Sequence, residues 1–310
     1  MPLDPEIEAA FFGAADDDAP AFALGVEASR AAEYEFVELC GPEEPVASVV
    51  DHSVPVKDGE IGVRVYTPEG AAPFPCLVYF HGGGWVAGDL NTMDRPCRTF
   101  ANGAGCVVVS VDYRCAPEHK FPTAADDSYA ATRWVADNAA ELGIDAARIA
   151  LGGDSAGGNL TAVVSQMARD QGGPVIAFQL IIYPVIDFSF DTSSYRDLAE
   201  GYGLTKPMME WFWDQYLADP ADGAHPYASP IRATSLSGLP PAAVFVAGFD
   251  PLRDEGLAYA DALRAAGVAV ETRNLDDMVH GYLQMGAVSA GARRAVADTV
   301  AALRAGLSPG

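Results

Sequence analysis

Leu151-Gly152-Gly153-Asp154-Ser155-Ala156-Gly157-Gly158-Asn159 is the stretch from which the rest of the chain can be read. An apolar run, Ala147 to Leu151, leads into it and has the length of a short buried strand. A helix-compatible stretch, Leu160 to Ala168, follows it. Between them, Gly153-x-Ser155-x-Gly157 has the shape of a tight strand-to-helix turn that carries a serine at its tip. A side chain at either flanking glycine would strike the neighbouring strand or helix, and the turn holds the serine in a strained backbone conformation. The helix that follows aims its N-terminal amides at whatever the serine attacks.

Outward from this turn the pattern is that of an α/β protein. Ser48 to Val56 and Ile61 to Tyr66 alternate as half-buried strands, with Asp58-Gly59 as the turn of a hairpin. Cys76 to Phe80, Cys106 to Val111, Arg148 to Leu151, Phe178 to Tyr183, Ala242 to Val246 and Val268 to Asn274 are the further strands. Helices are expected over Met93 to Gly103 and over Asp126 to Asn138, where Tyr129, Trp134 and Val135 share an apolar side, and Ala295 to Ala305 closes the chain. A hairpin followed by strands alternating with helices implies a mostly parallel sheet covered on both faces. Asp4-Pro5 reads as the N-cap and first residue of a helix, and Asp16-Asp17-Asp18 as a solvated loop. Tyr34 and Phe36 belong to a second helix-like stretch. Asp187 to about Leu236 is too long for a crossover and rich in aromatic residues. It reads as a helical hairpin with a small core of its own, as a lid over the C-terminal edge of the sheet, or as both.

The 310 residues suffice for one large α/β domain or two small ones, and half of them are hydrophobic. The formal net charge of −24 argues against nucleic acid and anionic lipid as partners; it fits a solubility surface or salt tolerance. Met1 to Ala10 has neither a basic nor an apolar region, and no apolar run reaches a membrane span. A cytoplasmic location is therefore expected. Five cysteines without a C-x-x-C spacing point to reduced thiols and no zinc site.

A serine nucleophile needs a base, a group to orient that base, and donors for an oxyanion. Of the five histidines, His280 stands after the last strand, behind the expected loop Asp276 to Val279, where such a fold keeps its base. His52, His119 and His225 have less suitable positions, and His81 belongs to the glycine loop. Asp250 follows the strand Ala243 to Val246 and is preferred to Asp254, because Pro251 is expected to start the next helix and to carry Asp254 away. The order Ser155, Asp250, His280 is that of α/β-hydrolases. His81-Gly82-Gly83-Gly84-Trp85 follows the strand Cys76 to Phe80, and its glycines let backbone N–H groups approach a reacting oxygen. The N–H of Ala156 is a further donor. No Lys-Ser/Thr follows these glycines, so phosphate binding is a poor fit.

Five motifs together resemble the bacterial hormone-sensitive-lipase-like esterases, lipolytic family IV. They are His81 to Trp85; Tyr113-Arg114-x-Ala116-Pro117-Glu118-His119-x-Phe121-Pro122; Gly153 to Asn159; Asp250-Pro251-Leu252-Arg253-Asp254-Glu255-Gly256; and Val279-His280-Gly281-Tyr282. The resemblance implies an α/β-hydrolase fold with an eight-stranded, mostly parallel sheet, flanking helices and a helical cap. It implies cap segments at 1–45 and 188–235, around a catalytic domain of 46–187 and 236–310. It implies Ser155 as nucleophile, His280 as general base and then acid, Asp250 as its orienter, and Gly83, Gly84 and Ala156 as oxyanion donors. A small-molecule ester as substrate, no cofactor or metal, and a homodimer through the last strand complete the expectation. An amide or formamide hydrolase on the same residues, and a small-molecule receptor that has lost catalysis, are the alternatives.

Overall fold

The computed structural model of the chain describes residues 1–12 and 20–308, so Asp16-Asp17-Asp18 lies outside the described residues. Among the described residues eight strands form one sheet: β1 (Ser48–Val56), β2 (Gly59–Thr67), β3 (Phe74–Phe80), β4 (Val107–Asp112), β5 (Ile144–Asp154), β6 (Phe178–Ile182), β7 (Ala242–Phe249) and β8 (Val270–Val279). They lie in the order β1-β2-β4-β3-β5-β6-β7-β8. β1 with β2, and β2 with β4, pair antiparallel; the other neighbours are parallel. The hairpin turns at Asp58, whose φ of 61° is left-handed, and Val56 sits opposite Gly59.

Helices α1 (Pro5–Ile7), α2 (Ala21–Leu24) and α3 (Val26–Glu33) precede the sheet. The Asp4 carboxylate accepts from the N–H groups of Glu6 and Ile7 at 2.9 and 3.1 Å and so caps α1. α4 (Asp94–Ala104), α5 (Thr123–Asp137), α6 (Ala156–Asp170), α9 (Arg253–Ala265) and α10 (Ala290–Gly306) alternate with the strands, while α7 (Ser193–Asp197) and α8 (Lys206–Tyr216) lie between β6 and β7. Strand β3 shows why the sheet is covered twice. Its Cys76, Val78 and Phe80 pack with Ala131 and Val135 of α5 and with Leu160 and Val163 of α6. Leu77 and Tyr79 point the other way, to Phe100 of α4 and to Val300 and Leu303 of α10. Apolar residues are therefore needed on both faces, which removes the polar alternation from these strands. Each such side chain contributes roughly 1.5–3 kcal/mol on burial.

Several boundaries differ from the sequence reading. β5 starts at Ile144, and α6 starts at Ala156 rather than Leu160. Gly157 and Gly158, poor helix formers, conceal that first turn. β8 continues to Val279, so Asp276 to Val279 is strand and not loop. A register shift after Ala247 brings Phe249 opposite Val279, and the two aspartates disguise the extension. α9 begins at Arg253, not at Pro251, which stays in the turn. The aromatic insertion forms no separate core: Tyr195, Phe212, Trp213 and Tyr216 join the cluster that includes Trp85 and Phe80. Trp85 stacks on Tyr216 with ring centroids 4.2 Å apart.

Candidate active site

Four loops leave the C-terminal ends of parallel strands at one edge of the sheet: His81 after β3, Ser155 after β5, Asp250 after β7 and His280 after β8. Open α/β sheets place ligands at this edge. Ser155 has φ 56° and ψ −118°, a conformation that costs a non-glycine residue on the order of 1–3 kcal/mol. Its backbone is held on both sides. Its N–H donates to the Ile182 carbonyl at 2.9 Å, and its carbonyl accepts from Asn159 and Val185 at 3.0 and 3.2 Å. The two flanking glycines are dictated by backbone. A Cβ at Gly157 would lie 1.9 Å from the Phe80 carbonyl oxygen, and one at Gly153 would lie 2.4 Å from that of Gly157.

The Ser155 hydroxyl lies 3.0 Å from His280 Nε2, and His280 Nδ1 lies 2.8 Å from Asp250 Oδ2. Asp250 is fully buried, and its other oxygen accepts the Leu252 N–H at 2.8 Å. With Nδ1–H donating to the carboxylate, Nε2 presents a lone pair to the hydroxyl, as removal of the serine proton requires. The Tyr183 ring packs against the imidazole at 4.6 Å and limits its swing. Asp254 is elsewhere: it receives the Ser194 N–H at 2.8 Å, where α9 meets α7.

The glycine loop is fixed by groups the motif reading did not single out. Asp154 Oδ1 accepts the Tyr79 hydroxyl at 2.6 Å and the Gly82 N–H at 3.0 Å, tying the loop to the residue before Ser155. Burial raises the Asp154 carboxyl above its ordinary range, and the bond from Tyr79 opposes that shift. His81 is fully buried and stacked on Tyr113, with its Nδ1–H on the Gly82 carbonyl. Burial pushes its pKa down to about 4. Gly82 N–H is thus engaged, whereas those of Gly83, Gly84 and Ala156 have no acceptor among the described residues. Gly83 at φ 96° fits only because it lacks a Cβ, which would stand 2.2 Å from the Ala87 carbonyl oxygen.

Ser155, His280, Gly83 and Gly84 open into one cavity of about 320 Å³. Phe11, Phe12, Glu33 and Phe36 form one wall; Tyr202, Leu204, Met208, Met209 and Phe212 form another. Both walls are fastened to the reactive loops. Arg30 of α3 donates to the carbonyls of Val86 and Ala116 and pairs with Glu118 at 2.6 Å. Lys120 donates to the carbonyls of Asp214 and Leu217 at the end of α8. The motif from Tyr113 to Pro122 therefore serves as a brace. A larger groove, about 770 Å³, lies between α4 and α10. Burial pushes its Cys40 thiol up to about 12, away from the thiolate form, and no histidine lines the groove among the described residues.

The structure brings together Ser155, Asp250, His280, Gly83, Gly84 and Ala156. Asp154, Tyr183 and Arg30 were missed. Asp154 lies inside a quoted motif, but nothing in its spacing indicates that its carboxylate turns back to Gly82. This fold, with a serine, a histidine and an aspartate in one hydrogen-bonded line at the sheet's C-terminal edge, defines a protein of the α/β-hydrolase class. The alpha/beta hydrolase fold family is matched over residues 77–284, more than half of the chain. The chain is 47% identical to the carboxylic ester hydrolase LipN of Mycobacterium tuberculosis, over 95% of this chain and 78% of that protein. It is 38% identical to an ethyl acetate hydrolase of Pseudomonas putida, over 90% and 89% of the two chains. A crystal structure of a thermostable esterase from Pseudomonas putida superposes with a TM-score of 0.95 at 38% identity, covering 100% of this chain and 99% of that one. The chain belongs to the α/β-hydrolase family, among its hormone-sensitive-lipase-like esterases, and is a carboxylesterase. No helix among the described residues is long and apolar enough to cross a membrane.

Proposed function

We propose that this carboxylesterase hydrolyses short-chain acyl esters with Ser155 as nucleophile, His280 as general base and acid, and Asp250 as the group that orients the histidine. The observation that carries this reading is the unbroken line of hydrogen bonds from Asp250 through His280 to Ser155, at 2.8 and 3.0 Å, opening into an apolar cavity. His280 Nε2 takes the hydroxyl proton as Ser155 Oγ attacks the ester carbonyl. The carbonyl oxygen gains the negative charge and accepts from the N–H groups of Gly83, Gly84 and Ala156, each contributing on the order of 3 kcal/mol in the transition state. The carbonyl re-forms as the C–O bond to the alcohol breaks, and the imidazolium gives its proton to that alcohol. Water then adds to the acyl-serine by the same proton route and releases the acid. Every proton transfer is assigned to a protein group, so the scheme calls on no cofactor or metal.

The same reading assigns cap roles to 1–45 and 188–235, whose side chains wall the cavity, and the catalytic role to 46–187 and 236–310. It includes a cytoplasmic homodimer paired through β8, which is an edge strand of the sheet. The test is turnover of p-nitrophenyl esters from acetate to palmitate, with Ser155→Ala as control. Rates should peak at the short chains, and the variant should lose on the order of a millionfold in kcat with an unchanged melting temperature. Wild-type activity in Ser155→Ala would sink the assignment.

A further inference from the structure

We propose that Glu33 sets the charge preference of this esterase, favouring esters that carry a cationic group and disfavouring those that carry a carboxylate. The inference rests on the esterase reading above and adds a substrate class to it. Glu33 ends α3 and lines the same cavity as Ser155. The other lining groups that can carry charge near neutral pH are already committed: Asp154 to Tyr79 and Gly82, and His280 to Ser155 and Asp250. The Gln284 amide faces the Thr92 carbonyl. Glu33 has no hydrogen-bond or ion-pair partner among the described residues, although Arg30 stands one turn earlier on the same helix. That arginine is drawn off to Glu118 and to the carbonyls of Val86 and Ala116.

An unpaired carboxylate in a largely apolar cavity is unfavourable. Its pKa registers this: burial pushes it up to about 7, Asp154 at the end of β5 adds to the rise, and His280 after β8 opposes it. A cation bound in the cavity supplies the missing partner and keeps Glu33 ionised. A free carboxylate in the same space meets like charge, and this includes the acid product, which is thereby helped to leave. Phe36 and Met285 line the same cavity and suit the cation's methyl groups, while Glu33 is the lining carboxylate without a hydrogen-bond partner among the described residues.

The experiment uses two matched ester pairs at pH 8. In one the alcohol is choline or its uncharged carbon analogue; in the other the acyl chain ends in dimethylammonium or isopropyl. For wild type and Glu33→Gln, kcat/KM is measured for each ester. In at least one pair the cation-to-neutral ratio should fall about tenfold in Glu33→Gln, mainly through KM, the size expected for one unit charge at several ångströms in a partly dry cavity. The neutral ester is the internal reference for each variant, so the ratio is read whatever its own rate becomes. Glu33→Lys should reverse the preference. If the variants fail to fold, the choline pair is run on the wild type at pH 6 and pH 8; the quaternary charge is constant, so the ratio must fall at pH 6 as Glu33 takes up a proton. Equal ratios across variants, or across pH, overturn the assignment. Failure of the wild type to hydrolyse any of the neutral esters would instead overturn the esterase reading beneath it.

Discussion

The floor of the reactive cavity and its walls are fixed by different forces. On the floor, where β3, β5, β7 and β8 end, positions are set by backbone colliding or bonding with backbone. Gly153 and Gly157 have carbonyl oxygens within 2.4 and 1.9 Å of any added Cβ, and Ser155 is pinned at N–H and carbonyl alike. The walls are set by side-chain packing: Phe11 and Phe36 on one side, Met208, Met209 and Phe212 on the other. Many apolar side chains of similar volume satisfy such packing. Chemistry is therefore specified tightly and substrate shape loosely within a single cavity.

The largest effect that would break this contrast comes from Gly157→Ala. The added methyl cannot avoid the Phe80 carbonyl, so either α6 or β3 must move. Activity should fall by more than a hundredfold, and urea unfolding should show a loss of at least about 3 kcal/mol, the upper range for overpacking. A variant with near-normal rate and midpoint would show that the floor is as pliable as the walls.

An intermediate effect lies in pH-dependent stability. His81, on the floor, titrates at about 4 in the fold and near 6.5 when unfolded. Between these values the unfolded chain binds a proton that the folded one refuses, so this stability is lost as pH falls through that window. From pH 7 to pH 5 the loss is about 2 kcal/mol for one such group. Glu33, in the wall, has the opposite sign: its pKa is raised to about 7, so the fold holds a proton that the unfolded chain releases, and stability falls as pH rises from about 4.5 to 7. Urea midpoints at pH 5 and 7 should show His81→Asn less sensitive to acid than the wild type and Glu33→Gln more sensitive. Parallel shifts in both variants would contradict the separation of floor and wall.

The smallest effect is expected in the wall itself. Met208 is half-buried and lines the cavity. Met208→Ala should move the preferred acyl chain by one or two carbons and change kcat on a short ester less than about tenfold, since a methylene in an apolar pocket is worth about 1–3 kcal/mol. A profile of chain lengths measures this directly; a loss as large as that of Ser155→Ala would place Met208 among the floor residues.

The same contrast accounts for what could be read from the sequence. The strand runs, the hairpin at Asp58-Gly59 and the residues gathered around Ser155 were legible because backbone demands leave few residue choices. The end of β8 was not, because Asp276 and Asp277 are polar residues in an extended strand at the sheet's edge. Glu33, Arg30 and Tyr183 were silent for another reason. Their roles depend on which distant segments meet, and a glutamate or an arginine in a helix has no local signature of what it will face. The aromatic insertion was visible as an insertion, but its union with Trp85 in one core was not.

Asn159, whose backbone N–H helps to hold Ser155, also carries a side-chain amide with a wider reach. Asn159 is fully buried on α6, and its Nδ2 donates to the carbonyls of Val185 and Ala228 at 3.0 and 2.8 Å. These two residues bracket the stretch that carries α7 and α8. One side chain thus fastens both ends of a long excursion to α6, the helix that Ser155 precedes. Because the ends are already joined, lengthening the chain between them costs little closure entropy, about 0.6 kcal/mol for each doubling. Length can therefore vary between Val185 and Ala228 where the chain is exposed, while Tyr195, Phe212, Trp213 and Tyr216 stay anchored in the core around Trp85: the excursion is moored at its two ends and along one side, and free on the other.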